Sequence, residues 1–279
     1  MGNEESRPHR LLLDGGGELP LEAMEIFKGW AKEHYEGGSK PSALCTVLII
    51  PWASERDLHE HLEDANRWIF EKDDIKINLA PGVAQITESS DVLETSLQLI
   101  DNANAVFFTG GDQSRIMDLL EARPKLHKAL SRQFNDGVGF AGTSAGTAVM
   151  SATMFTGDGG SEGGSVPWDF ISGSRVVTRP GLGFAKNIVT DQHFTRRARF
   201  NRLLSVLLDE TTPEMFGLGV EEDLAVVIEG DVNLRVFSSK PGLKAVLLKR
   251  KDDEPDETQP SRFELTLLPG NNGKVYVLE

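Results

Sequence analysis

The chain carries one cysteine, Cys45, in 279 residues. A lone thiol cannot form an intrachain disulfide or a cysteine-based metal cluster, so the core must hold without either, and a reducing compartment is expected. Basic residues are in deficit, with 29 Lys and Arg against 43 Asp and Glu and a formal charge of −14. That balance repels phosphate backbones and anionic lipid, which argues against nucleic acid and membrane as partners. Long apolar runs are absent as well. None approaches the ~18 consecutive residues of a membrane span, and the opening MGNEESRPHR lacks the apolar stretch of a secretory signal. A cytoplasmic protein is the expectation.

Hydrophobic residues make up 39% of the chain, and 28 glycines bring the apolar share to that of an ordinary globular protein. A chain near 300 residues buries about three quarters of its unfolded surface, enough to stand on its own core. Short apolar runs at 11–13, 46–50, 105–109, 137–141 and 188–190 read as buried strands. Between them, 21–35, 55–71, 91–100 and 114–134 repeat apolar residues at three- and four-residue spacing, as amphipathic helices do. This alternation predicts an α/β fold, a mostly parallel sheet with helices on both faces. The last quarter differs: 224–228, 234–237, 243–249, 262–268 and 274–278 read as strands joined by short turns, an antiparallel C-terminal extension. No repeat or linker divides the chain, so residues 1–279 are expected to form one domain.

Ligands of open α/β sheets gather at the carboxyl ends of the strands, and one such end holds a nucleophile motif. Gly142-Thr143-Ser144-Ala145-Gly146 follows an apolar strand and precedes a helix-compatible stretch, the setting in which G-x-S-x-G forms a sharp elbow. The elbow presents Ser144 Oγ and leaves the Ala145 N–H at the helix start, free for an oxyanion. A tight glycine-rich turn without chemistry would look the same over five residues.

A serine hydroxyl needs a base, usually histidine. His9 lies in the polar terminus, and His34, His59, His61 and His127 sit in helical stretches rich in Lys and Glu. His193, in Asp191-Gln192-His193-Phe194, instead follows a predicted strand at the ligand edge. Two acids compete to orient it: Glu162 in the glycine-rich stretch 157–165, and Glu222 after a short apolar segment. Either would otherwise be a solvated surface acid.

A second cluster starts at 106–115, Val-Phe-Phe-Thr-Gly-Gly-Asp-Gln-Ser-Arg, where a glycine pair lets backbone approach a ligand and the Gly111 N–H would supply the second oxyanion donor. Beyond His193 come Arg196, Arg197, Arg199 and Arg202, a concentration of positive charge in an acidic chain. Arg199 and Arg202 share a helical face, with Arg197 turned away. Such a group suits bidentate binding of carboxylates, or ion pairs with the protein's own acids.

Taken together, FFTGGDQSR (107–115), GTSAG with TAVMS (142–151), DQHFTRRARFNR (191–202), GLGVEEDLA (217–225) and, more weakly, LLLDGGG (11–17) resemble the cyanophycinases of the S51 serine-peptidase family. The run DQHF with R-x-R-x-x-R sets this pattern apart from the Asp-X dipeptidase branch, peptidase E. Asn201 stands where Gly is common, Leu224 where Thr is common, and Trp52 where Thr is typical. The resemblance implies a fold like class I glutamine amidotransferases, with serine in place of their cysteine. It implies Ser144 as nucleophile, His193 as base, Glu162 or Glu222 as acid, and a pocket of Gln113, Asp191, Gln192, Arg197, Arg199 and Arg202, with Asp191 facing a substrate guanidinium. The implied substrate is cyanophycin, an aspartate backbone bearing arginine on its β-carboxyls, cut to β-Asp-Arg dipeptides. No metal or organic cofactor is implied, and a homodimer is expected. Hydrolysis of short aspartyl or isoaspartyl peptides, or peptide binding without catalysis, would be the alternatives.

Overall fold

The computed structural model describes residues 8–38, 44–56, 60–61, 75–156, 171, 176–209, 211–251, 261–271 and 273–278. Five parallel strands form the heart of the main sheet: β1 (Arg10–Asp14), β2 (Cys45–Ile50), β3 (Ile75–Leu79), β4 (Ala105–Phe108) and β5 (Gly139–Thr143). They lie in the order β1-β5-β4-β2-β3. Strands β2 and β4 are buried from end to end, as a parallel sheet covered on both faces requires. The two-residue period of a strand sorts their side chains into two cores. Val47, Ile49 and Phe107 meet Phe27 and Trp30 of helix α1 (Leu21–Glu36). On the opposite face, Leu48, Ile50 and Phe108 pack with Ile100 of a helix at Ser90–Asn102, and with Leu119, Leu130 and Phe134 further along the chain.

Two expectations from sequence change here. Residues 114–134 form two helices, Gln113–Ala122 and Pro124–Asn135. Pro124 has no N–H to continue the first helix and forces Arg123 out of helical geometry (φ −132°, ψ 70°), yet it fits the first turn of the second. The strand predicted at 188–190 belongs to another sheet. There β8 (Ile188–Gln192) runs parallel to β9 (Phe216–Val220), and β9 pairs antiparallel with β12 (Lys244–Arg250), which pairs with β13 (Phe263–Pro269). Helix Phe200–Leu208 connects β8 to β9 and sets Leu203, Val206 and Leu207 against Val189, Val246 and Leu248. That separate small core gives β8 its own layer.

The antiparallel extension is present but divided. Strands β10 (Leu224–Glu229), β11 (Asn233–Ser238) and β14 (Tyr276–Val277) extend the main sheet beyond β1, whereas β12 and β13 build the second sheet. A two-stranded antiparallel pair of β6 (Thr153–Phe155) and β7 (Thr178–Pro180) was not expected, nor was β3, whose Ile-Lys-Ile-Asn-Leu is too polar to stand out. Most of the helix predicted over 55–71 lies outside the described residues, as does the stretch 252–260 between β12 and β13. Among the described residues no helix is long and apolar enough to cross a membrane.

Candidate active site

Strand β5 ends at Thr143 and a one-turn helix begins at Ala145, so Ser144 alone makes the turn, with φ 51° and ψ −109°. A non-glycine residue held there costs on the order of 1–3 kcal/mol and persists only where its surroundings over-determine it. Ser144 N–H donates to Asp14 O at 3.1 Å, and Ser144 O accepts from Thr147 and Ala148 N–H at 2.9 and 3.0 Å. Thr147 Oγ1 donates to Asp14 O and Gly142 O, both at 2.7 Å. The flanking glycines have no alternative. A Cβ on Gly142 would lie 2.2 Å from the Gly146 carbonyl carbon, and one on Gly146 would lie 2.4 Å from Phe108 O.

His193 follows β8 on the second sheet, also at positive φ (49°), its N–H bonded to Gly15 O at 3.0 Å. Its ring crosses the gap between the sheets: Nε2 is 2.7 Å from Ser144 Oγ, and Nδ1 is 2.7 Å from Glu222 Oε1. A carboxylate can only accept, so the proton belongs on Nδ1 and the Nε2 lone pair faces the serine hydroxyl. Burial lowers the His193 pKa from its ordinary value, the Glu222 hydrogen bond opposes that, and Arg197 and Arg199 add to the lowering. The ring therefore favours its neutral, basic form. Gly16 closes the approach from the β1 side, since a Cβ there would sit 2.3 Å from His193 Cε1.

Glu222 stands in the turn between β9 and β10, with its second oxygen 3.0 Å from Arg196. Glu162 lies outside the described residues. Glu221, which drew no attention in the sequence, fixes both catalytic turns at once. One of its oxygens accepts Thr195 and Arg196 N–H at 2.6 and 3.1 Å, and the other accepts Glu222 N–H at 2.8 Å. The signal was the doublet Glu221-Glu222 at a strand end.

Of the glycine pair, Gly110 approaches the nucleophile, where a Cβ placed on it would be 3.9 Å from Ser144 Oγ, while Gly111 packs against the Ala53 carbonyl. A cleft of about 680 Å³ opens there, bordered by Gly110, Gly111, Thr143 and Arg115. Of the predicted pocket residues, Gln113, Asp191 and Gln192 are buried, Arg199 and Arg202 half-buried, and Arg197 exposed. Asp191, expected to face a substrate guanidinium, has no exposed side-chain surface. Arg202 Nε donates to its Oδ2 at 2.7 Å and Arg202 Nη2 to its Oδ1, while Arg199 reaches Oδ1 at 3.5 Å and Gln192 O at 2.5 Å. The acid is consumed by the protein's own arginines. Arg202 also stacks 4.6 Å over Phe155, whose carbonyl accepts from Gln113 Nε2 at 3.0 Å. Burial, and next to it the charge of Arg202, pull Arg199 down to about 10.

Asp14 was also missed. It ends β1 beside Thr143, is 1% exposed, and burial raises its carboxyl to about 7 despite hydrogen bonds from Thr143 and Gly16. An aspartate closing an apolar strand, in Leu-Leu-Leu-Asp, was the available clue. Among the described residues no group of three or more His, Cys, Asp or Glu side chains is placed to hold a metal ion. The arrangement offers a serine, a base and an orienting acid in line, which is the equipment of acyl transfer.

A family model described as peptidase family S51 matches residues 20–235. The chain is 37% identical over 227 residues to a cyanophycinase from Geminocystis herdmanii, covering 81% of this chain and 76% of that protein. To a cyanophycinase from Trichormus variabilis it is 37% identical over 138 residues, 50% of this chain and 43% of that one. The fold is similar to the crystal structure of a peptidase from an acI-B1 Actinobacterium, with a TM-score of 0.62, 21% identity and 96% of both chains covered.

Proposed function

Because this chain belongs to peptidase family S51, we propose that it is a serine-type exopeptidase that cuts cyanophycin into β-Asp-Arg dipeptides. The observation that carries the reading is the hydrogen-bonded line from Glu222 through His193 to Ser144, with both links at 2.7 Å. Ser144 Oγ attacks the backbone carbonyl while His193 Nε2 takes its proton, and Glu222 holds the ring and stabilises the imidazolium that forms. The N–H groups of Gly111 and Ala145 receive the oxyanion; the Ser144 N–H is already spent on Asp14 O. His193 then returns the proton to the leaving amine, and water attacking the acyl-enzyme releases the dipeptide.

Gln113, Gln192, Arg197, Arg199 and Arg202 form the binding wall for substrate carboxylate and carbonyl groups. Asp191 serves it indirectly, by holding the two arginines. The chemistry needs no metal or organic cofactor. The same reading includes a class I glutamine amidotransferase-like fold, one S51 domain over 1–279, a homodimer and a cytoplasmic location.

The test is release of β-Asp-Arg from purified cyanophycin. Ser144→Ala should lower turnover by a factor on the order of 10⁶, and Glu222→Gln by roughly 10⁴. Hydrolysis of Asp-X or isoaspartyl dipeptides with none of the polymer would replace the proposed substrate with short peptides. Full turnover by the Ser144→Ala protein would remove the mechanism.

A further inference from the structure

On the α1 side of the elbow lies a second cavity, of about 380 Å³, between the end of β1 and the start of α1. Its walls are apolar: Leu19, Leu21, Met24 and Phe107. Its polar groups are the buried Asp14 with Thr143 at the inner end and the exposed Glu18 at the mouth. Phe107 and Thr143 also border the larger cleft that holds Gly110 and Gly111, so the two spaces adjoin beside Ser144.

Asp14 is only half satisfied. Its Oδ2 accepts Gly16 N–H at 3.2 Å and the Thr143 hydroxyl at 2.5 Å, whereas its Oδ1 is buried and has no partner among the described residues. A buried acceptor without a donor is destabilising, and a ligand that supplies the donor relieves it. The charged group acting on it is an acid, and of the cations nearby Lys240 is engaged with Asp223 and reaches Glu18 electrostatically rather than Asp14. Asp223 raises its pKa further, and Glu18 lines the same space. Asp223 itself is occupied, by Lys240 and by Glu18 N–H at 2.8 Å. An apolar slot with acid at both ends suits an aliphatic stem that carries a cation.

We propose that this cavity is the subsite for the cationic side chain of the substrate, an arginine stem lying along Met24 and Phe107 with its guanidinium on Asp14 Oδ1, and that Asp14 and Glu18 set the preference for it. The assignment rests on the reading of the chain as a hydrolase of arginine-bearing aspartyl polymer. Burial holds Asp14 near neutrality, at about 7, so docking a guanidinium beside it draws off a proton that solution measurements can count.

Two synthetic poly-aspartate segments test this, one with arginine and one with citrulline on every β-carboxyl, since citrulline replaces the guanidinium by a neutral urea of the same shape. The wild-type enzyme should favour the arginine segment by roughly 10- to 100-fold in kcat/KM. Asp14→Asn should bring the two within about threefold, mainly through KM on the arginine segment, and Glu18→Gln should remove a smaller share of the preference. An equal fall of kcat on both segments in Asp14→Asn would make Asp14 a positioning residue only, and no preference in the wild type would empty the slot of its guanidinium. Calorimetry of both segments with the Ser144→Ala protein reads the slot without turnover. If that protein binds arginine and citrulline segments equally the subsite is wrong, whereas selective binding together with a wild-type enzyme that cleaves neither segment would fault the proposed reaction and leave the subsite standing.

Discussion

Asp14 and Asp191 occupy comparable places, Asp14 closing β1 beside the Ser144 elbow and Asp191 next to last in β8, which delivers His193, and each is almost wholly buried. Their surroundings differ in one respect. Asp191 meets two guanidiniums, Arg199 and Arg202, and both its oxygens are taken. Asp14 meets a hydroxyl and a backbone N–H, keeps one oxygen without a partner among the described residues, and has Asp223 as its charged neighbour. Equal burial therefore yields opposite outcomes. An acid with its counter-charges built in is scaffold, and one without them is held near its protonated form, open to a cation from outside.

The contrast breaks most visibly at Asp191. Asp191→Ala leaves the half-buried Arg199 and Arg202 beside each other without a counter-charge, and should cost about 3 kcal/mol in denaturant unfolding. A loss under ~1 kcal/mol would show that the arginines escape to solvent and that the pairing is incidental. Asp14 is read through pH instead. Its folded pKa, about 7, lies above the ordinary 3.8, so between roughly pH 4 and 7 the folded chain holds a proton that the unfolded chain has lost. Stability from this group is complete below pH 4 and falls as pH rises through that window, by at most ~1.4 kcal/mol per pH unit. Asp14→Asn should delete that slope from unfolding curves taken across the window; an unchanged slope would mean the group titrates as an ordinary aspartate.

A smaller effect is expected in the activity profile. Protonated His193 cannot act as base, so turnover falls with pH through its folded pKa, which burial places below the ordinary 6.5. Arg197→Gln removes one of the cationic neighbours that lower it and should move the acid limb upward. The smallest effect belongs to Arg196, paired with Glu222 but 71% exposed. Arg196→Gln should change stability by less than ~1 kcal/mol, a measure of how little a pair is worth once water reaches it.

The parts of the site that could be read from the sequence are those in which local geometry dictates residue type. The elbow is legible because Gly142 and Gly146 leave no room for a side chain, and His193 because it follows a strand end. Glu222 was visible only as one of two candidates, since the acid's distance to the ring depends on how the β9–β10 turn meets the second sheet. The fate of Asp191 was hidden for the same reason: spacing put Arg199 and Arg202 on one side but not which carboxylate they would meet. Most of the main sheet was legible from its apolar strands, but not β3, whose Lys76 and Asn78 interrupt the apolar run. Assigning β8 to another layer was not, because a buried parallel strand carries the same pattern in either sheet. The break at Pro124 was in plain view and was overridden by a continuous apolar period.

Ser144 rides on the main sheet, while His193 hangs from the end of the second and Glu222 from the turn that joins the two. The glycine run 15–17 is the seam between them: its backbone bonds to His193 N–H and Asp223 N–H, and a Cβ on Gly15 would collide with Glu221 O at 1.9 Å. A chain that has folded only one sheet owns a hydroxyl without a base, or a base without a hydroxyl. The catalytic line therefore exists only where both sheets have docked along this glycine seam, so loosening the seam removes activity before either sheet unfolds.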